Sequence, residues 1–443
     1  MLSQIITKDI FRRYNCVGEF SFDENKFYTN FQLIQYIDGE IEIIVLEIPS
    51  LASINELSKI NPYCSIEANL VDSQGFIHIT DAFVNNIRFE FGNNKISYAL
   101  LKVTKNITIE YVNSDNKYDS ARFYMTNFIN DSSQLSNQFS EFKANINNQL
   151  IVFRGYEKYS YYKQEITSNR LGVAVTAIGE VILNNDTVDI KSVDKLTYLL
   201  SYSCKTQISP ICFDYVKNNI VYKTVLRQIR TTKYSHKKHL ISPNAKSYFL
   251  EKCYGDFKEN LTGLSLKITI SIYLESLLSN YIDTSYVLLV QALEIFLASY
   301  EKWWEDKGNE IKIGSVNRIK KDINEFINSK EYSLSEEDLN ELSKKLAYPY
   351  TTTLEKLSLI KKQDDFKDKL NLHKYDYDFP TIRNKIIHEG VVPKTINSSG
   401  NEREIKILEE YKRVIFMYDK IILTLLGYDG EFHDYLNENY IKF

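Results

Sequence analysis

Cysteine, glycine and proline are all scarce in this chain of 443 residues, at 5, 15 and 7 copies. So few glycines and prolines argue against collagen-like repeats, long flexible linkers and compositional disorder. The five cysteines, at positions 16, 64, 204, 212 and 253, are odd in number and widely spaced, and no CxxC occurs. Neither a disulfide framework nor a zinc site of ordinary spacing is indicated, and small buried thiols in a reducing compartment are expected. A surplus of one charge is missing too: 54 Lys+Arg against 58 Asp+Glu leaves −4. A positively coated surface is thereby excluded, so a polyanion partner would have to be met by a local patch. Apolar runs are interrupted or short, such as 286–296, and the N-terminal text turns polar by residue 8. No bilayer span and no signal peptide are expected, which points to a soluble cytoplasmic protein with no membrane partner.

What the chain has in quantity is aromatic and aliphatic residues, 33 Tyr and 24 Phe within a 44% hydrophobic total, enough for a substantial core. Length alone allows about three domains, or two large ones. Up to about residue 130 the pattern is strand. The segments 41–46, 76–80, 87–91 and 107–111 alternate or cluster apolar, β-branched and aromatic residues, with Asn, Asp and Gly between them. No helical pattern separates these runs, which predicts an antiparallel, sandwich-like or barrel-like sheet and not βαβ units. A polar gap at 130–133 precedes an expected short helix, and strand text returns at 150–153, 171–175, 211–215 and 220–226. Between 189 and 203 the spacing of Val193, Leu196, Leu199 and Leu200 is helical.

From about residue 246 the period changes to helix. Val287, Val290, Leu293 and Leu297 recur at three- and four-residue steps, with Asp283 placed to cap them. Ser335-Glu336-Glu337-Asp338 is a capping-box signature. A further helix is predicted over 402–426, with Gly427 where a C-cap belongs. The expected fold class is α+β: a β-rich N-terminal regulatory or sensor domain over 1–245, with two subdomains splitting near 130–150, and a helical bundle over 246–443.

Two features carry chemistry. Between Asp214 and Glu251 there is no acidic residue, while Lys217, Lys223, Arg227, Arg230, Lys233, Lys237, Lys238 and Lys246 are joined by His236 and His239. Tyr222, Tyr234 and Tyr248 interleave, the combination expected for single-stranded nucleic acid, with Lys237 and Lys238 as candidate substrate-binding residues. The competing reading is a solvated strand pair and linker in which the charges cluster by chance.

The second feature is 376–393. Asp378 can cap, Pro380 is tolerated in a first turn, and Gly390 with Pro393 supplies a stop, so a short helix over 379–389 is predicted. Asn384 lies one turn before His388 on the same face, while Arg383 is about 140° away. Ile382, Ile386 and Ile387 are expected to fill the buried side. Arg offers a planar fork of donors to phosphate oxygens, and His can move a proton near neutral pH, so the set suits phosphodiester chemistry. One such His serves as base or acid, and a full hydrolytic cycle is easier with two, which points to a symmetric dimer.

Arg383-Asn384-Lys385-Ile386-Ile387-His388 resembles the R-N-x-x-x-H form of the HEPN motif. The upstream stretch Gln291-Ala292-Leu293-Glu294 resembles the early helix of the ApeA-like HEPN group, anti-phage proteins that share the layout of a β-rich half before a HEPN domain. The motif-level resemblance covers about 281–427; the N-terminal half is matched by architecture alone. It implies a metal-independent endoribonuclease without cofactor. Such an enzyme cuts single-stranded or loop RNA, tRNA included, through 2′-hydroxyl attack, leaving a 2′,3′-cyclic phosphate. It also implies a homodimer or dimer of dimers that brings two motifs into one cleft, and abortive-infection defence released by a phage-derived trigger. His388 is then the acid/base, Arg383 holds the scissile phosphate, Asn384 orients either, and Glu294 is a supporting neighbour. The alternative is a non-catalytic HEPN module that binds RNA or protein.

The remaining histidines carry less. His236 and His239 lack a third metal ligand, His78 and His433 read as structural, and His373 precedes the motif by ten residues. Trp303-Trp304 reads as core or dimer contact. No GxxxxGK[ST], GxGxxG or HExxH occurs, so neither a phosphate loop nor a metallohydrolase site is expected.

Overall fold

The computed structural model describes residues 9–22, 25–45, 63–90, 96–103, 106–111, 118–131, 138–183, 190–228, 233–306, 353, 356–357, 360, 366, 378–389, 394–396, 402–404 and 406–443. The chain divides into two compact units, residues 1–255 with 430–433, and residues 256–429 with 434–443. The first is dominated by an antiparallel sheet and the second by helices, so the architecture is α+β.

The first unit runs β1 (Ile10–Phe22), β2 (Asn25–Tyr36), β3 (Ile41–Val45), β4 (Tyr63–Leu70), β5 (Gly75–Glu90), β6 (Ile96–Val103), β7 (Ile107–Tyr111), β8 (Ser120–Thr126), β9 (Phe142–Ile146), β10 (Gln149–Gly155), α1 (Tyr159–Thr167), β11 (Val175–Ile182), α2 (Ile190–Cys204), β12 (Ser209–Lys217) and β13 (Ile220–Leu226). These 13 strands form one sheet in the order β4-β1-β2-β3-β6-β5-β7-β13-β12-β8-β11-β10-β9, and β4 also pairs with β5. That extra pairing closes the first six strands into a ring, which removes their free edges. Alternate residues point inward, among them Phe20, Phe31, Leu33, Ile43, Ile66 and Ile77, and form the ring's core. At Gly18 a side chain would collide with the backbone of β4, so glycine lets β1 and β4 approach closely enough to close it.

Two strands expected at 76–80 and 87–91 are one long strand, β5, with a register shift between Val84 and Asn86. The shift interrupts the apolar alternation, which is why one strand reads as two. β5 pairs with β4 and β7 through its first part and with β6 through its second, and the sheet continues from β7 to β9 as an open surface. Asn147-Asn148 and Asn218-Asn219, all at positive φ, make the two-residue turns β9–β10 and β12–β13.

α2 forms where its spacing predicted and packs against β12, with Val193, Leu196, Leu199 and Leu200 buried. The helix expected after 130–133 falls mostly outside the described residues, and 138–141 are not helical. The helix of that region is α1, whose three tyrosines, at 159, 161 and 162, hide the period. All five cysteines are free and buried, and burial pushes the Cys16 and Cys64 thiols up to about 12.

α3 (Lys246–Asn260) carries the division between the units. The helical unit then holds α4 (Leu266–Ser276), α5 (Ile282–Asp306), α6 (Phe379–Glu389) and α7 (Ile407–Leu425). α5 packs against α4, α6 and α7 and buries Tyr286, Leu289, Val290, Leu293, Phe296 and Leu297. At 25 residues α5 is longer than the apolar run suggested, and by length and composition it could cross a membrane. Its packing against three helices makes it the core element of this unit.

α7 begins at Ile407 and not near 402, because Glu402–Glu404 pairs as β15 with β14 (Lys394–Ile396). It ends as expected at Gly427, φ +63°, whose N–H bonds to the Thr424 carbonyl while Tyr428 N–H bonds to Leu423. Within the bundle Tyr273 donates to the buried Asp419 at 3.1 Å and stacks on Tyr418 at 4.5 Å. The capping box at 335–338 lies outside the described residues.

Candidate active site

α6 spans the residues the spacing predicts. Ile382 N–H makes the first intrahelical bond, 3.0 Å to the Asp378 carbonyl, and Pro380 sits in the first turn, where no N–H is needed. Phe379 and Ile382 are fully buried, and Tyr286 of α5 donates to the Phe379 carbonyl at 3.5 Å, tying the start of α6 to α5. Ile386 is half-buried, but Ile387 is 51% exposed, so the expectation that it fills the buried side is corrected. At 100° per residue Ile387 lies about 140° round from Ile382, on the flank and not the seam.

Arg383, half-buried, bridges to the Glu294 carboxylate across the α5–α6 contact, and its Nη1 donates to Asn384 Oδ1 at 2.8 Å. The second Glu294 oxygen accepts from Thr353 Oγ at 3.3 Å. The structure therefore brings together Arg383, Asn384 and Glu294, and adds Thr353, a partner no sequence pattern pointed to. Asn384 and His388 are exposed on the solvent side of α6. Among the described residues no hydrogen bond or ion pair reaches the His388 ring. Arg383 and His388 are five positions apart, about 7.5 Å along the axis and about 140° round it, so the helix does not bring them into direct contact. The exposed imidazole can take or give a proton, and the guanidinium held by Glu294 can donate to an anion, from different sides of one short helix.

Lys237 and Lys238 are exposed but belong to the first unit, in the coil before α3. The basic run around them is less free than its composition implies. Lys223 pairs with Glu110 at 3.1 Å and Arg227 with Asp194 at 2.5 Å, both partners coming from outside the acid-free window. Lys246 is fully buried, its Nζ 3.1 Å from the Ile241 carbonyl and 3.2 Å from His239 Nδ1, and burial lowers its pKa. Tyr234 packs against the sheet core, leaving Tyr248 as the exposed ring of the three. Arg230 and His373 lie outside the described residues.

Three further histidines lie away from this helix in the chain. His78 faces Glu67 at 3.4 Å, His433 is buried, and His236 bonds Asn169 at 2.9 Å. Among the described residues no three His, Cys, Asp or Glu side chains are grouped to hold a metal.

Comparison with protein-family models, with curated proteins and with solved structures returns no match to this chain.

Proposed function

We propose that the protein is a metal-independent endoribonuclease of the HEPN type, cleaving single-stranded or loop RNA, tRNA among the candidates, in anti-phage defence. The observation that carries this reading is the pairing of Arg383 with Glu294 of α5, beside an exposed Asn384 and an open His388 at the end of the same short helix. Arg383, aimed by Glu294, holds the scissile phosphate. His388 takes the proton from the ribose 2′-hydroxyl or gives one to the leaving 5′-oxygen. Asn384 orients the arginine or the phosphate. Because one histidine serves only one of those two steps at a time, a second copy of the chain supplies the other, and exposed Ile387 beside His388 fits a face that a second copy covers.

A non-catalytic reading is favoured by one detail: the Arg383 fork is already shared between Glu294 and Asn384, as in a purely structural latch. Incubating the purified protein with tRNA in the presence of a chelator separates the two. Cleavage with 2′,3′-cyclic phosphate ends is expected. RNA binding without new termini, or a requirement for Mg²⁺, would overturn the nuclease.

A further inference from the structure

The open part of the sheet has two unlike faces. Phe123, Phe213 and Val225 turn to one face, where they are buried. The other carries charge: register sets Asp214 of β12 opposite Arg122 of β8 and Thr224 of β13, and Arg122 opposite Glu180 of β11. Asp214, 2% exposed, accepts from Arg12 of β1 at 2.6 Å, Tyr124 at 3.0 Å and Thr224 at 2.8 Å. Glu180 accepts from Arg122 Nε at 2.8 Å and Ser120 at 3.0 Å, and faces Arg154 at 3.5 Å. Three arginines thus meet two carboxylates.

Those carboxylates do not use up the arginines. Arg122 is engaged through Nε, and among the described residues nothing bonds its outer nitrogens. Arg154, 40% exposed, has among the described residues only the 3.5 Å approach to Glu180. Arg122 through Nε and Arg154 through Nη2 approach the two oxygens of one carboxylate, so each guanidinium keeps donor nitrogens that Glu180 does not take, the kind of donor that grips a phosphate. Aromatic rings continue the face. The Arg12 guanidinium lies 5.1 Å from the Tyr124 ring centre and 5.2 Å from that of Phe11, and Phe11, Tyr124 and Tyr156 contact one another, all half-buried. These rings pack against the sheet core on their covered side and Arg12 lies over Tyr124, so it is the uncovered parts of Tyr124 and Tyr156 that are left to meet a planar group.

We propose that this face binds a nucleotide, the phosphate on Arg122 and Arg154 and the base against Tyr124 and Tyr156, giving the β-rich unit a small-molecule ligand of its own. Charge favours the phosphate: Arg122 and Arg154 share the one Glu180 carboxylate, and a phosphomonoester brings close to two negative charges to them. The rings select a nucleotide over a bare anion. The site lies wholly in the first unit and stands or falls independently of the ribonuclease reading.

The test is calorimetric titration of the full chain carrying Arg383→Ala, so that the helical unit's arginine cannot hold the phosphate. The probes are adenosine 5′-monophosphate, uridine 5′-monophosphate, adenosine and inorganic phosphate. The monophosphates should saturate, with adenosine and phosphate each weaker by about tenfold or more. Adding Arg154→Ala, at the most exposed of the three arginines, should weaken the monophosphates by about tenfold without moving the melting temperature. Arg122→Lys keeps the charge beside Glu180 but not the fork, and should weaken them as well. No heat at millimolar nucleotide, equal binding after Arg154→Ala, or phosphate binding as tightly as the nucleotides would each overturn the proposal.

Discussion

Two arginine–carboxylate pairs, one in each unit, are built to opposite ends. In the sheet unit Arg12 meets Asp214, whose carboxylate is buried and filled by three donors. In the helical unit Arg383 meets Glu294, both side chains about a quarter exposed, and Asn384 and His388 lie exposed further along the same helix. A buried acid that lost its partners would be left uncompensated, so the first pair holds strands together. The two pairs differ at the acid: Glu294 keeps about a fifth of its side chain in water, so it can be rehydrated and the second pair costs less to break.

Substitution should separate the two sharply. His388→Ala and Arg383→Ala are each expected to lower RNA cleavage by about 10²–10⁴-fold while leaving the melting temperature near that of the parent. Asp214→Ala should do the reverse, costing the sheet unit about 3 kcal/mol, the lower end for a broken buried pair because Arg12 is about a third exposed and can rehydrate. Chemical denaturation and a cleavage assay on all three variants read both effects. If Arg383→Ala unfolds the helical unit as Asp214→Ala unfolds the sheet, the contrast collapses and Arg383 is structural.

A finer cut falls on Glu294. Glu294→Gln keeps the shape and removes the charge that aims Arg383, so cleavage should fall by about ten- to a hundredfold, with the cut site unchanged and kcat affected more than KM. Unchanged kinetics would mean that the arginine finds the phosphate without help from α5.

How much of this was legible follows from range. The bounds of α6 were readable, because Asp378 and Pro380 act within one helix, while Ile387 was misplaced because what covers a flank depends on the neighbouring helices. The Arg383–Glu294 pair joins residues 89 apart, and the sequence reached it only through a resemblance. Arg12 and Asp214 are 202 apart on strands whose meeting depends on ring closure and register, and no local pattern encodes that. The basic run shows the same limit from the other side. Counting Lys223, Arg227 and Lys246 as available was reasonable along the chain, yet the fold supplies Glu110, Asp194 and a buried pocket that withdraw them.

The buried end of that run gives the sheet unit a pH dependence of its own. Burial first, and the Lys246 ammonium second, push the His239 imidazole well below its ordinary value, although part of the residue reaches the surface. A pKa depressed on folding means that the unfolded chain takes up the proton first. The stability this site contributes is therefore intact above about pH 6.5 and declines below it, by about 1.4 kcal/mol per pH unit until the folded pKa is reached. His239→Asn, which keeps an acceptor for Lys246 without titrating, should flatten that decline in denaturation curves taken between pH 7.5 and 5.5. An equally steep fall in the variant would assign the acid sensitivity to other groups.

The smallest effect belongs to the exposed part of the run. Lys237→Glu with Lys238→Glu reverses two surface charges, and each phosphate the protein no longer neutralises lowers the slope of log affinity against log salt by about one. If these lysines help to hold RNA, affinity at low salt should drop several-fold and the slope should flatten, while the chemistry at His388 continues at saturating RNA. That outcome would give the sheet unit a share in substrate capture and blur the division between a unit that holds itself together and one that acts. An unchanged affinity and slope would keep the division clean and leave the coil before α3 as a connection with no part in holding RNA.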